Sequence, residues 1–109
     1  MSETAISKAI RVAIKRLFPQ LRMTRLQTGL ITARHGAKIH CAEPGWPDLI
    51  GYDAGGRFFA IEVKKADGKL SPEQVERIAD IKACGGVAIV AYGVLDAVTQ
   101  IKIELEAIK

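Results

Sequence analysis

A chain of 109 residues with 49% hydrophobic and 26% charged residues has the make-up of one folded domain, expected to span 1–109, and excludes a disordered chain. Aromatic residues are only 6%, so the core is expected to be Ile, Val, Leu and Ala. The net charge of +4 and the sequence pI near 9.3 favour a polyanionic partner, because Lys and Arg release counterions from phosphates. Two cysteines, Cys41 and Cys84, are too few for a disulfide scaffold. Met1-Ser2-Glu3-Thr4 does not read as a signal peptide, and no apolar run approaches the roughly 20 residues that span a bilayer. The expectation is a reduced, cytoplasmic protein without a membrane partner.

Ile6, Ala9, Ile10, Ala13, Ile14 and Leu17 recur at spacings of three and four, the stripe of a first helix that Pro19 helps to stop. Lys8, Arg11 and Lys15 form a basic line on another face. Arg25–Ala33 reads as a strand with Gly29 as a bulge or a close backbone approach. Lys38–Cys41 reads as its partner after a turn at His35-Gly36, and Glu43–Pro47 as a loop. Asp48–Tyr52 is a strand, Asp53–Gly56 a turn, and Phe58–Lys64 the clearest strand of the chain. Ser71-Pro72-Glu73-Gln74 opens a second helix with an N-cap, a proline at the first position and a capping box. Val75, Ile78 and Ala79 supply its buried side, and Gly85-Gly86 ends it. Val87–Tyr92 is an apolar strand covered on both faces. Val94, Leu95, Val98, Ile101, Leu105 and Ile108 mark a last helix. The order α-β-β-β-α-β-α predicts an α/β fold, a small mixed sheet flanked by helices, with a βαβ unit through the second helix.

The chemistry-bearing feature is Glu62-Val63-Lys64. Strand side chains alternate, so Glu62 and Lys64 leave one face while Phe59, Ile61 and Val63 leave the other. If Ala54-Gly55-Gly56 is a three-residue loop, Asp48 lands opposite Glu62, with Cβ atoms roughly 5 Å apart. A slip of one residue would send Asp48 to the wrong face. Two facing carboxylates destabilise a sheet unless a cation neutralises them, and magnesium accepts one or two carboxylates while keeping its waters. The Val63 carbonyl is a further candidate ligand. Lys64 would orient water or stabilise charge on a pentavalent phosphate. Glu3 shares the buried side of the first helix and is a third candidate carboxylate. His35, His40 and Cys41 fit no common zinc pattern. Trp46 is expected to pack beneath its loop.

These residues resemble the PD-(D/E)xK nuclease superfamily, and within it the VRR-NUC branch. Pro47-Asp48 and Glu62-Val63-Lys64 stand for the two halves of the superfamily signature. Gly45-Trp46-Pro47-Asp48-Leu49-Ile50-Gly51, Phe59–Lys64 and Gly68-Lys69-Leu70-Ser71-Pro72-Glu73-Gln74 follow at the branch's spacing, and Gly85-Gly86 before an apolar strand also matches. The resemblance implies a restriction-endonuclease-like core and a magnesium- or manganese-dependent endonuclease, a homodimer directed to branched DNA such as flaps or Holliday junctions. It implies Glu3 as the first-helix glutamate, with Ser7 where glutamine is more usual, and Gln74 near the active site. Asp48, Glu62, Lys64 and Gln74 are thus the candidate catalytic residues. Glu3, Asp48, Glu62 and Val63 are the candidate metal ligands. Lys8, Arg11, Lys15, Arg25, Lys65 and Lys69 are the candidate DNA contacts. The rival expectation is a DNA-binding module, or a nuclease subunit that needs a partner protein. The intact acid, glutamate and lysine set speaks against a mere binder.

Overall fold

The computed structural model describes residues 1–28 and 30–107. Gly29, and Ile108 of the last helix's expected stripe, lie outside the described residues. The elements run α1 (Glu3–Leu17), β1 (Arg22–Arg25), β2 (Leu30–Thr32), β3 (Lys38–His40), β4 (Leu49–Tyr52), β5 (Phe58–Val63), α2 (Pro72–Ala83), β6 (Val87–Ala91) and α3 (Val94–Glu106). They form a mixed α/β architecture with helices on both faces of a mixed sheet. The single strand expected over Arg25–Ala33 is divided. β1 joins the main sheet, and β2 pairs with β3 in a separate two-stranded ribbon. Arg-Met-Thr-Arg has neither alternation nor an apolar run, so pairing with β4, rather than its own side chains, makes it a strand.

The main sheet has the order β1-β4-β5-β6, with β5 and β6 parallel and the other pairs antiparallel. Central β5 is buried on both faces. Phe59, Ile61 and Val63 meet Ile10 and Ile14 of α1, Ile101 of α3, Leu49 and Ile89 in the larger core cluster. Ala60, with Ala88 of β6, meets Ile78 and Ile81 of α2 in the smaller one. Burying each large aliphatic or aromatic side chain contributes about 1.5–3 kcal/mol, so the larger cluster dominates the stability.

Helix ends follow the local chemistry. The Ser2 hydroxyl accepts the Ala5 N–H at 3.1 Å and starts α1. Ser71 and Gln74 form the reciprocal capping box of α2 with Pro72 in its first turn, as expected. Four apolar positions differ from expectation. Leu17 is exposed and Phe18, just past the helix, is buried in its stead. Val75 and Ala79 of α2 are exposed, because the buried line narrows to Ile78 and Ile81 over the small patch around Ala60 and Ala88. Leu95 faces out, since the line through Ala97 and Ile101 fixes the rotation of α3. Gly51 is required by close approach: a Cβ there would overlap the carbonyl of Arg22 on β1.

Candidate active site

The turn between β4 and β5 sets the site. Asp53 donates its N–H to the Arg57 carbonyl at 3.1 Å, and Gly56 takes φ +81°. The Asp53 carboxylate accepts the N–H groups of Gly55 (3.0 Å) and Arg57 (2.9 Å) and the Arg57 guanidinium (3.2 Å). Burial pushes this carboxyl up, but those hydrogen bonds and the Arg57 charge outweigh it and hold the group below its ordinary value. The turn is the three-residue loop expected from the sequence. It sets Leu49 against Ile61 and Tyr52 against Phe58. One step further, the same register brings Asp48 beside Glu62.

Asp48 sits where the chain bends into β4 after Pro47. Its Oδ2 accepts the Val63 N–H at 2.8 Å, extending the ladder with a side chain. Its carbonyl accepts the Leu26 N–H at 2.7 Å. The carboxylate is thereby held within hydrogen-bonding reach of Glu62. Glu62 is only 2% exposed, and its Oε2 has no hydrogen-bond partner. Burial, the hydrogen bond and charge of Asp48, and the charge of Glu3 push the Glu62 carboxyl up to about 9, against the opposing pull of Lys64. Lys64 is itself buried, anchored through its N–H to the Ala91 carbonyl at 2.9 Å.

Glu3 reaches the same end of the sheet from α1, but its Oε2 accepts the Lys65 N–H at 3.3 Å. Among the described residues no three His, Cys, Asp or Glu side chains converge as a ready cage for an ion. The converging pair is Asp48 with Glu62. The donor set suits a hard cation, because a buried carboxylate oxygen without a partner is a group that an ion would satisfy. Gln74 commits its Oε1 to the Ser71 N–H at 2.8 Å, so any contact with substrate falls to its NH2 group. Gly68 went unread as a site element. A Cβ there would lie 3.2 Å from Glu3 Oε2 and 3.3 Å from Lys64 Cδ, so the bare backbone lets the loop close over both.

The basic residues fall into two groups. Lys8, Arg11 and Lys15 of α1 line a groove of about 800 Å³ against the β1–β4 edge, with Arg22, Met23 and Tyr52 on the other side. Arg22 escaped the sequence because nothing there pairs β1 with β4. Arg25, Lys65 and Lys69 are exposed outside that groove, Arg25 at the Leu49 end of β1 and the two lysines on the loop after Lys64. Glu3, Ser7 and Arg11 lie one turn apart on α1, and the buried Ser7 Oγ and Arg11 Nε both lack partners. A polar line thus leads from the carboxylates to the groove. On the far side of the site, Arg77 of α2 stacks over Trp46 at 4.6 Å and pairs with Glu43 at 3.4 Å. Trp46 is thus half-buried beneath a cation of α2 that the sequence did not single out. Both cysteines are free.

A mixed sheet with helices on both faces that carries an aspartate, a glutamate and a lysine at one end is compatible with a compact nuclease-like core. The VRR-NUC domain model matches residues 7–95, and the chain belongs to that family, whose members typically use divalent metals. No curated protein matches the chain. No helix among the described residues is long and apolar enough to cross a membrane.

Proposed function

We propose that the chain is a divalent-metal-dependent DNA endonuclease acting on branched DNA, with Asp48, Glu62 and Lys64 as its catalytic residues. The observation that carries this is the meeting of Asp48 and Glu62 beside Lys64, with the Glu62 Oε2 buried and unpartnered. Asp48, Glu62 and the Val63 carbonyl would hold a magnesium or manganese ion, and Glu3 would reach it through water. When bound, the ion polarises a phosphodiester oxygen and activates water. Asp48 is pre-positioned by the Val63 N–H, so ion binding needs little rearrangement there. Lys64 places a positive charge where the phosphate gains negative charge in the transition state. Its burial strengthens that interaction, because little water screens it. The Gln74 NH2 group would donate to the reacting phosphate. The groove cations Lys8, Arg11 and Lys15, with Arg25, Lys65 and Lys69 about the site, would hold the backbone on either side.

A branched substrate and a homodimer belong to the same reading. α3 leaves Leu95 and Ile103 exposed on one face, an apolar line that a second copy would cover. Two active sites at fixed separation match the two-fold symmetry of a four-way junction. Cleavage of labelled duplex, flap and four-way-junction DNA with magnesium, manganese or EDTA tests the function. The expected result is metal-dependent cutting of the branched forms that Lys64→Ala abolishes. Cutting that persists in EDTA, or unchanged in the variant, would refute it. Light scattering is expected to give twice the chain mass, and a monomer at working concentration would refute the dimer.

A further inference from the structure

The β2–β3 ribbon is left unexplained by the site. Ile31 pairs with Ile39 across it, so the two side chains stand together on one face, and both are exposed. Leu30 is exposed on the other face, where Lys38 Nζ donates to Thr32 Oγ1 at 2.8 Å. The tip is a tight loop: Ala33 donates its N–H to the Ala37 carbonyl at 2.7 Å and Gly36 takes φ +81°. A two-stranded ribbon is marginal in water alone, and exposed aliphatic pairs on it are a solubility burden. A bound occupant would relieve both burdens.

Charge identifies that occupant. From Thr4 to Ala42 the chain has eight Lys and Arg and no Asp or Glu, and Arg34 and Lys38 lie at the ribbon's tip. Such a surface repels few polyanions and attracts them from any side. The ribbon is also rooted at the reacting end of the sheet. The Leu26 N–H holds the Asp48 carbonyl on one leg, and Glu43 meets Arg77 on the other. The seven or so residues from root to tip reach roughly 20 Å, enough to traverse a DNA groove about 12 Å wide.

We propose that the β2–β3 ribbon is a DNA-engaging arm: Arg34 and Lys38 bind phosphates while Ile31 and Ile39 pack against bases unstacked at a branch point. Apolar wedges of this kind hold open steps that are already weakly stacked, which a branch provides and a continuous duplex does not. The proposal rests on DNA being the substrate, and it assigns to the arm the preference for branched over linear DNA.

The test compares the full-length protein with Ile31→Ser/Ile39→Ser and with Arg34→Ala/Lys38→Ala. Binding to a four-way junction and to a linear duplex is followed by fluorescence anisotropy in EDTA, with 2-aminopurine at the branch reporting unstacking. The wild type is expected to brighten the probe. The isoleucine pair variant is expected to lose that signal and at least tenfold in junction affinity, with duplex affinity changed less than threefold. The basic variant is expected to weaken both substrates and to flatten the salt dependence. All three proteins are expected to share one unfolding temperature and one mass by light scattering, since the altered side chains are exposed. Unchanged junction binding and probe signal in the isoleucine variant would overturn the proposal, as would dissociation of a dimer by that variant, which would make the ribbon a contact between copies. Because these measurements need no metal or cleavage, a wild type that binds as predicted but never cuts would sink the nuclease reading and leave the arm standing. A wild type that cuts, with ribbon variants that cut and bind like it, would do the reverse.

Discussion

The end of the β4–β5 pair away from its turn, where Asp48 meets Glu62, and the acid-free stretch from Thr4 to Ala42 are opposite solutions in one small protein. The first gathers carboxyl groups in a buried place, where Glu62 is 2% exposed and Asp48 is locked by a backbone N–H. The second spreads positive charge over an exposed groove and ribbon. Chemistry demands side chains fixed to fractions of an ångström, whereas phosphate capture works through screened, long-range attraction. The contrast teaches that altering the first region should change rate, and altering the second should change affinity.

The largest effect is expected at Lys64. Lys64→Ala should lower the cleavage rate by about 10²–10³ or more, the scale for removing a charge-stabilising group, with DNA affinity within about threefold in filter binding. A loss confined to affinity would erase the distinction between the regions.

Glu62→Gln separates function from stability. The folded-state value near 9 lies above the unfolded value of 4.5. The group's contribution to stability is therefore fully present below about 4.5 and is lost as pH rises from there through about 9. The metal-free variant should accordingly unfold several degrees higher than the wild type at pH 8, about equally at pH 4, and should not cut DNA. Thermal scans at the two pH values check this, and a variant less stable at pH 8 would show that the buried charge is not the destabilising element.

In the groove, Arg11→Ala/Lys15→Ala should weaken duplex binding by roughly tenfold at low salt and reduce the slope of log affinity against log salt by about 1–2. The rate at saturating DNA should stay within about twofold. Smallest is Asp53→Asn, which leaves the active-site groups in place but weakens the turn. Asp53 is held below its ordinary value, so its stabilisation is present above the unfolded value and lost as pH falls through the folded one. The variant should lose on the order of 1 kcal/mol at pH 7 and converge with the wild type in acid, as urea titrations would read.

The same contrast governs what was legible in the residues. Asp48 against Glu62 follows from three loop residues and strand alternation, both local rules, and the pairing of Leu49 with Ile61 continues to it. The capping box of α2 was legible for the same reason. β1 was not, because Arg22–Arg25 has no apolar pattern of its own and is strand only by pairing with β4. The groove inherits that blindness: Lys8, Arg11 and Lys15 were visible as a helix face, but Arg22 and Tyr52 opposite them were not. Leu17 and Leu95 misled because helical spacing leaves a residue at the border of a stripe undecided, and packing of Phe18 and Ala97 settles it. Gly68 needed the fold, since its closeness to Glu3 and Lys64 joins residues far apart in the chain.

The most direct test of the central claim is a manganese titration of the DNA-free protein followed by electron paramagnetic resonance, with wild type beside Asp48→Asn. Saturable binding is expected in the wild type, weakened at least tenfold by the substitution while the fold is retained. Equal binding by the two proteins would contradict it, because the ion would then reside somewhere other than between Asp48 and Glu62.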